Sequence, residues 1–371
     1  MKLLSVRAKN FKNSDDVIID FIAKSKKTSE DKEYELHEIA EGLHVFNTAA
    51  FIGKNASGKT TAIELLDCCY SILSDFTVEN KSYSYDNVAL ELFFYYDEYI
   101  YKYNTVLKNS DMLSNDKAFF SEQRLYRKKY FKSKIKDIYS DTGFEELTSL
   151  GELPEDTSII FFVLKKKKTR AVYFDCNGKG KETYNILFKT MKSYQIDEKL
   201  LSAVLKIFDE NIRKLKMIDD HNYELVYNNM VMILSDKELI NILSSGTTKG
   251  MLLYIMMVAS LKNGFDLIID EIENHFHKTL VENMISLYKD KYVNRHNAAL
   301  IFTTHYCEVL DLFHRQDNIW VCRADNKVSF DNMYEKFSVR SELMKSKQFY
   351  SNTFRTAVNY DDLMNLKKGL M

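Results

Sequence analysis

One stretch of eight residues constrains this chain more than any other. Gly53-Lys54-Asn55-Ala56-Ser57-Gly58-Lys59-Thr60 satisfies every fixed position of the pattern GxxxxGK[ST]. Glycines at both ends of such a loop let the backbone wrap an anion, with its N–H groups pointing inward. Lys59 is then placed to reach the β- and γ-phosphates of a nucleotide, and the Thr60 hydroxyl to ligate Mg²⁺. The flanks agree. Residues 45–52 form a short apolar run that ends at Gly53, and 61–73 carry Ile63, Leu66, Cys69, Tyr70 and Leu73 at helical spacing. A helix beginning at Thr61 would aim its positive end at the phosphates. Gly53, Lys54, Asn55, Ala56, Ser57, Gly58, Lys59, Thr60 and Thr61 are therefore the expected nucleotide-binding stretch.

Three further segments gain meaning from that loop. An apolar strand is expected over 265–269, ending in Asp270-Glu271. By itself this is an ordinary strand end. Downstream of a phosphate loop, Asp270 is expected to hold Mg²⁺ directly or through water, and Glu271 to polarise the attacking water. Residues 243–250, Leu-Ser-Ser-Gly-Thr-Thr-Lys-Gly, place a Ser-Gly turn ahead of a helix expected at 247–262. In isolation this is an N-capped helix. With the phosphates already assigned to one loop, a second anion-facing helix start suggests that this turn binds in trans, to a nucleotide held by another subunit. Finally, Ile301-Phe302-Thr303-Thr304-His305 puts a histidine at the end of the next expected strand, 298–303, where it can contact the γ-phosphate. Strands apolar throughout belong in a buried parallel sheet.

The remaining segments read less sharply. Leu3, Leu4, Val6, Ala8 and 17–22 are β-prone, and the polar stretch 23–32 is loop-like. Residues 86–107 alternate, with Asp97-Glu98 at a hairpin tip, and predict an antiparallel sheet. Residues 120–235 read as a separate helical and mixed insertion. Within it, apolar residues spaced from Ile196 to Leu215 predict one amphipathic helix. Seven cations, Arg124, Arg127, Lys128, Lys129, Lys132, Lys134 and Lys136, crowd 13 residues among Tyr126, Tyr130 and Phe131, and Lys165–168 add a second cluster. These are either a solvated face offset by acids or a grip on a nucleic-acid backbone. The expected division is 1–119, 120–235, 236–330 and a short tail, 331–371.

In this order the motifs resemble the ATP-binding-cassette (ABC) class of P-loop ATPase heads. They are most similar to its non-transporter branch: RecF, SMC-like heads and the OLD-type or "AAA family" ATPases of bacterial anti-phage defence. Ala8-Lys9-Asn10-Phe11-Lys12-Asn13 resembles the amino-terminal strand and turn of that branch. Glu271-Ile272-Glu273-Asn274-His275-Phe276-His277 resembles its acidic extension, and 302–305 its switch. The resemblance covers 1–100 and 236–325 well and 101–235 loosely. It implies an α/β fold with a mixed sheet, an antiparallel β-subdomain and a mainly helical insertion. ATP and Mg²⁺ would be the cofactors, with Lys59, Glu271 as catalytic base and His305 as switch. Ser244 and Gly246 would be signature residues acting across a head-to-tail dimer or a higher oligomer. Two departures stand out. Ser245 occupies a position usually held by Gly, and the only candidate for the metal-facing glutamine is Gln123. Lys278 stands where Pro commonly follows His277, which favours a structural His277.

Composition excludes alternatives. With 52 basic and 53 acidic residues the net charge is −1, unlike a uniformly basic nucleic-acid binder. One Pro, 11 Gly and 13% aromatic residues exclude low-complexity disorder. Five cysteines without a CxxC pair suggest reduced thiols. The start shows no apolar signal segment, and the apolar run near 251–261 is short of the ~20 residues of a membrane helix. A cytoplasmic ATPase with no membrane partner is expected. About 45 residues follow the core, so the nuclease domain of the OLD-type enzymes is not expected, and an effector would be a separate protein. The resemblance implies a sensor or regulatory ATPase of anti-phage defence. A RecF/SMC-like repair or chromosome-maintenance ATPase and a slowly hydrolysing, nucleotide-gated scaffold are the alternatives.

Overall fold

Alternating burial makes Val88–Tyr96 and Tyr99–Asn109 a β-hairpin. They pair from Val88↔Leu107 to Tyr96↔Tyr99, and both turn residues take left-handed φ, 49° at Asp97 and 66° at Glu98. That twist matches the strands, and the tip lies where the alternation placed it. In a computed structural model describing residues 1–78, 85–109, 118–147, 155–164, 171–175, 183–219, 221–274, 276–337, 344–354 and 360–370, this hairpin is the centre of a six-stranded antiparallel sheet. Its order is Val17–Asp20, Lys2–Lys9, Val88–Tyr96, Tyr99–Asn109, Ala118–Lys129, Glu145–Glu146. Val88, Leu90, Leu92 and Phe94 bury one face. The opposite face carries a polar row, Arg7–Glu91–Asn104–Arg124, set by register across four strands.

The chain divides into two units. One combines Met1–Thr169 with Thr303–Met371, and the other is Arg170–Phe302. The first holds the antiparallel sheet and the buried strand Thr48–Ile52, which runs parallel to Ile319–Ala324. Phe51 stacks on Trp320 with ring centroids 5.0 Å apart. Ile319–Ala324 in turn pairs antiparallel with Val328–Asn332. In the second unit Asp266–Asp270 runs parallel to both Ala171–Asp175 and Leu300–Thr304, whose last two residues belong to the first unit. The long helix Ser245–Asn263 buries Met251, Leu253, Tyr254, Ile255 and Met257 there. Among the described residues no single helix is long and apolar enough to cross a membrane. The α/β fold with a mixed sheet and an antiparallel subdomain is therefore as the sequence suggests.

Three local expectations need correction. The single strand expected at 45–52 is two, Leu43–Phe46 and Thr48–Ile52. Asn47 breaks the run: it is fully buried, its N–H donates to the Glu35 carbonyl, and its side-chain amide donates to the Tyr34 carbonyl. The loop expected at 23–32 ends in a helix, Ser29–Tyr34, started by a Thr28–Asp31 capping box. The helix expected from 196 to 215 stops at Phe208, where Asp209 turns the chain by accepting from the Asn211 N–H. Ile212–Met217 is a strand. A bulge between Ile212 and Lys214 puts Ile212 and Leu215 on the same inward face, so three-residue spacing arises in a β-strand. The 120–235 stretch holds the helices Thr183–Ser193 and Glu198–Phe208 together with a three-stranded sheet, 212–217, 222–227 and 230–235.

Candidate nucleotide-binding site

The loop 53–58 leaves the buried strand Thr48–Ile52 and feeds the helix Lys59–Ser74. Its glycines are sterically required. A Cβ on Gly53 would lie 2.3 Å from Ser57 Oγ and 2.6 Å from the Cys322 carbonyl oxygen. Gly58 has φ +93°, and a Cβ there would lie 2.2 Å from Val328 Cγ1. Ala56 is also left-handed, at φ 60°. Turns of this kind make a concave nest of backbone N–H groups, which suits an anion. Lys54, Asn55, Ala56 and Thr60 are exposed, whereas Ser57 is buried and its Oγ has no hydrogen-bond partner. Gly58 caps the helix without a side-chain bond. A helix start of this kind can direct its first-turn N–H groups at an anion. These features fit a nucleotide phosphate.

Lys59 is buried, and its ammonium donates to the carbonyls of Gly53 (3.1 Å) and Lys54 (3.0 Å). It also meets His305 Nδ1 at 3.3 Å, across 246 residues of sequence. The two residues expected to face the outer phosphate are therefore neighbours. His305 is held at the strand end, where the Tyr306 N–H donates to Thr304 Oγ1 and Cys307 Sγ lies 3.6 Å from the His305 carbonyl oxygen.

In the second unit Asp270 ends a fully buried strand, and Glu271 follows with φ 50°. A left-handed non-glycine residue is strained, and such strain gathers at functional sites. Asn274 holds this corner twice: its N–H donates to the Glu271 carbonyl (2.8 Å) and its amide to Glu271 Oε2 (2.6 Å). Asn274 had no assigned role from sequence. The available signal was its place in the acidic extension, three residues after Glu271.

Ser244 caps the helix Ser245–Asn263. Its Oγ accepts from the Thr247 N–H (3.0 Å) and pairs with the Thr247 hydroxyl (2.8 Å). Ser244 is exposed and Gly246 half-buried. His277 caps the helix Lys278–Lys289, with Nδ1 accepting from the Thr279 N–H. His275 and the 165–168 lysines lie outside the described residues, as does Cys176; Cys68, Cys69, Cys307 and Cys322 are buried and form no disulfide.

Gln123 is anchored inside the antiparallel subdomain. Its Oε1 accepts from the Tyr103 hydroxyl (2.6 Å) and the Ile159 N–H (2.9 Å), and its amide donates to the Thr157 carbonyl (3.1 Å). Burial pushes the Tyr103 hydroxyl well above its ordinary range, so it stays a donor. The basic stretch nearby is largely engaged. Arg127 meets Glu145 at 2.6 Å, Lys132 meets Glu41 at 2.8 Å, and Lys129 meets Glu98 at 3.8 Å. Lys128 donates to the carbonyls of Asp137 and Ser140, and burial lowers its pKa. Arg124 stays exposed.

A phosphate-wrapping loop between a buried parallel strand and a helix, with its lysine turned inward, defines a P-loop ATPase domain. Residues 49–311 match the family described as "AAA domain, putative AbiEii toxin, Type IV TA system", and the chain belongs to that family. A comparison with curated proteins gives no match. Among solved structures, the chain is similar to an SMC head bound to the C-winged helix domain of ScpA. The identity is 12%, the TM-score 0.45, and the match covers 90% of this chain and 98% of that one.

Proposed function

We propose that this chain binds and hydrolyses ATP, and that hydrolysis switches a head-to-tail dimer of ABC type. The observation that carries this is the meeting of Lys59 with the loop carbonyls and His305, because an incoming γ-phosphate would replace those carbonyls as the partner of the ammonium. In this reading the head comprises 1–119 and 236–330, with 120–235 inserted and 331–371 a tail. Thr60 and Asp270 would hold Mg²⁺, whose charge offsets that of the β- and γ-phosphate oxygens. Gln123 could join them only by releasing the Tyr103 and Ile159 bonds. Glu271, oriented by Asn274, takes the proton of the attacking water. Ser244 and Gly246 complete the site of the second subunit.

The biological setting we propose is cytoplasmic anti-phage defence, with this chain as the sensor or regulatory ATPase and a separate protein as effector. The family description, which names a toxin and a type IV TA system, supports a chain that works with a second gene product. A native pull-down of the Glu271→Gln variant tests it. A stoichiometric nuclease or toxin-like protein is the expected outcome. DNA without a protein partner would instead favour the repair reading, for which exposed Arg124, Lys134 and Lys136 are basic handles. ATP-dependent oligomers with very slow turnover would favour a scaffold.

A further inference from the structure

We infer that the short helix Lys345–Tyr350 is a clamp that positions His305 at the phosphate loop, acting through Ser346 and Asp311. One residue, Tyr306, separates His305 from the 3₁₀ segment Cys307–Leu312, whose Cys307, Val309 and Leu310 are buried. With three residues per turn, Glu308 and Asp311 fall on one face. Both are held by the clamp. Asp311 accepts from the Ser346 N–H at 3.1 Å and from its hydroxyl, and Glu308 accepts from the Tyr350 hydroxyl at 2.7 Å. Lys345, buried, donates to the carbonyl of Phe313 just beyond the segment, at 2.5 Å.

3₁₀ helices have poorer hydrogen-bond geometry than α-helices, so bonds from outside add to what fixes such a segment. This one begins two residues after His305, whose carbonyl oxygen lies 3.6 Å from Cys307 Sγ in its first turn. A small displacement of the segment would therefore draw the ring away from Lys59. Residues 345–350 lie beyond the matched span 49–311, so family membership does not account for them. Ser346 and Asp311 are positioning residues, because they act through His305.

The proposal rests on the ATPase reading, and its test separates the two. Ser346→Ala in the full chain should lower kcat by about tenfold while KM for ATP stays within about twofold. In a His305→Ala background the same substitution should cost nothing more, because both act through one ring. Multiplying losses, or an unchanged kcat in folded Ser346→Ala, would overturn the clamp. Independently of turnover, the His305 ring resonance in NMR should move in Ser346→Ala, and an unmoved resonance would also overturn it. Should that variant not fold, Tyr350→Phe removes one exposed bond to the same segment and takes both readouts. Loss of the ATPase reading would show differently, as turnover in the parent chain that does not depend on Lys59.

Discussion

The two helix starts assigned to phosphate differ in how their N-termini are satisfied. At Lys59–Ser74 the cap is a left-handed glycine with no side-chain bond. At Ser245–Asn263 the Ser244 hydroxyl already accepts from the Thr247 N–H. The first end has no side-chain cap, whereas the second has one of its N–H groups capped by Ser244. On the proposed reading, the loop wraps its own anion, while the Ser244 turn meets an anion brought by another subunit.

That contrast can be broken by experiment. The largest effect is expected at the loop. Lys59→Ala should abolish ATP binding in calorimetry. Gly58→Ala should also lose binding, and its left-handed φ alone should cost about 1–2 kcal/mol in chemical denaturation. Next, Glu271→Gln should keep binding while turnover falls by about 100-fold or more in a phosphate-release assay. Normal turnover would remove Glu271 as the base.

Ser244→Ala comes third. Loss of the cap should cost about 1 kcal/mol of stability, with ATP binding to the separate subunit preserved. Mixing it with Lys59→Ala should recover turnover, because a hybrid dimer keeps one intact composite site. No recovery would mean that Ser244 acts only as a cap. The smallest effect sharpens the comparison with a third helix start, Asp236–Ile242. There the Ser235 N–H and then its hydroxyl hold the Glu238 carboxyl below its ordinary value of 4.5. The stability it adds is present above that value and is lost as pH falls through the lowered folded one. Glu238→Gln should therefore flatten the decline of the thermal midpoint between about pH 5 and pH 3.

Much of this was legible locally. The loop residues announce themselves, because wrapping an anion requires glycine at fixed positions. The hairpin at Asp97-Glu98 followed from alternation on either side. Other features depended on distant partners. Asn47 splits a strand because the carbonyls of Tyr34 and Glu35, at the end of the preceding helix, accept from its side chain and backbone. Ile212 and Leu215 have helical spacing, yet a bulge places them in a strand. Gln123 has the residue type of a metal ligand, but its amide is occupied by Tyr103, Thr157 and Ile159.

By itself, the sequence determined the chemistry on offer: a phosphate loop, a strand ending in two acids, a Ser-Gly helix start and a histidine after the next strand. Spacing suffices for these because each lies within one turn or one strand. Only the tertiary structure decided that Lys59 meets His305, that Asn274 orients Glu271, and that the far tail grips the segment behind His305. Each of these depends on backbone turns and packing that bring side chains together, and residue periodicity carries no record of which distant groups will meet.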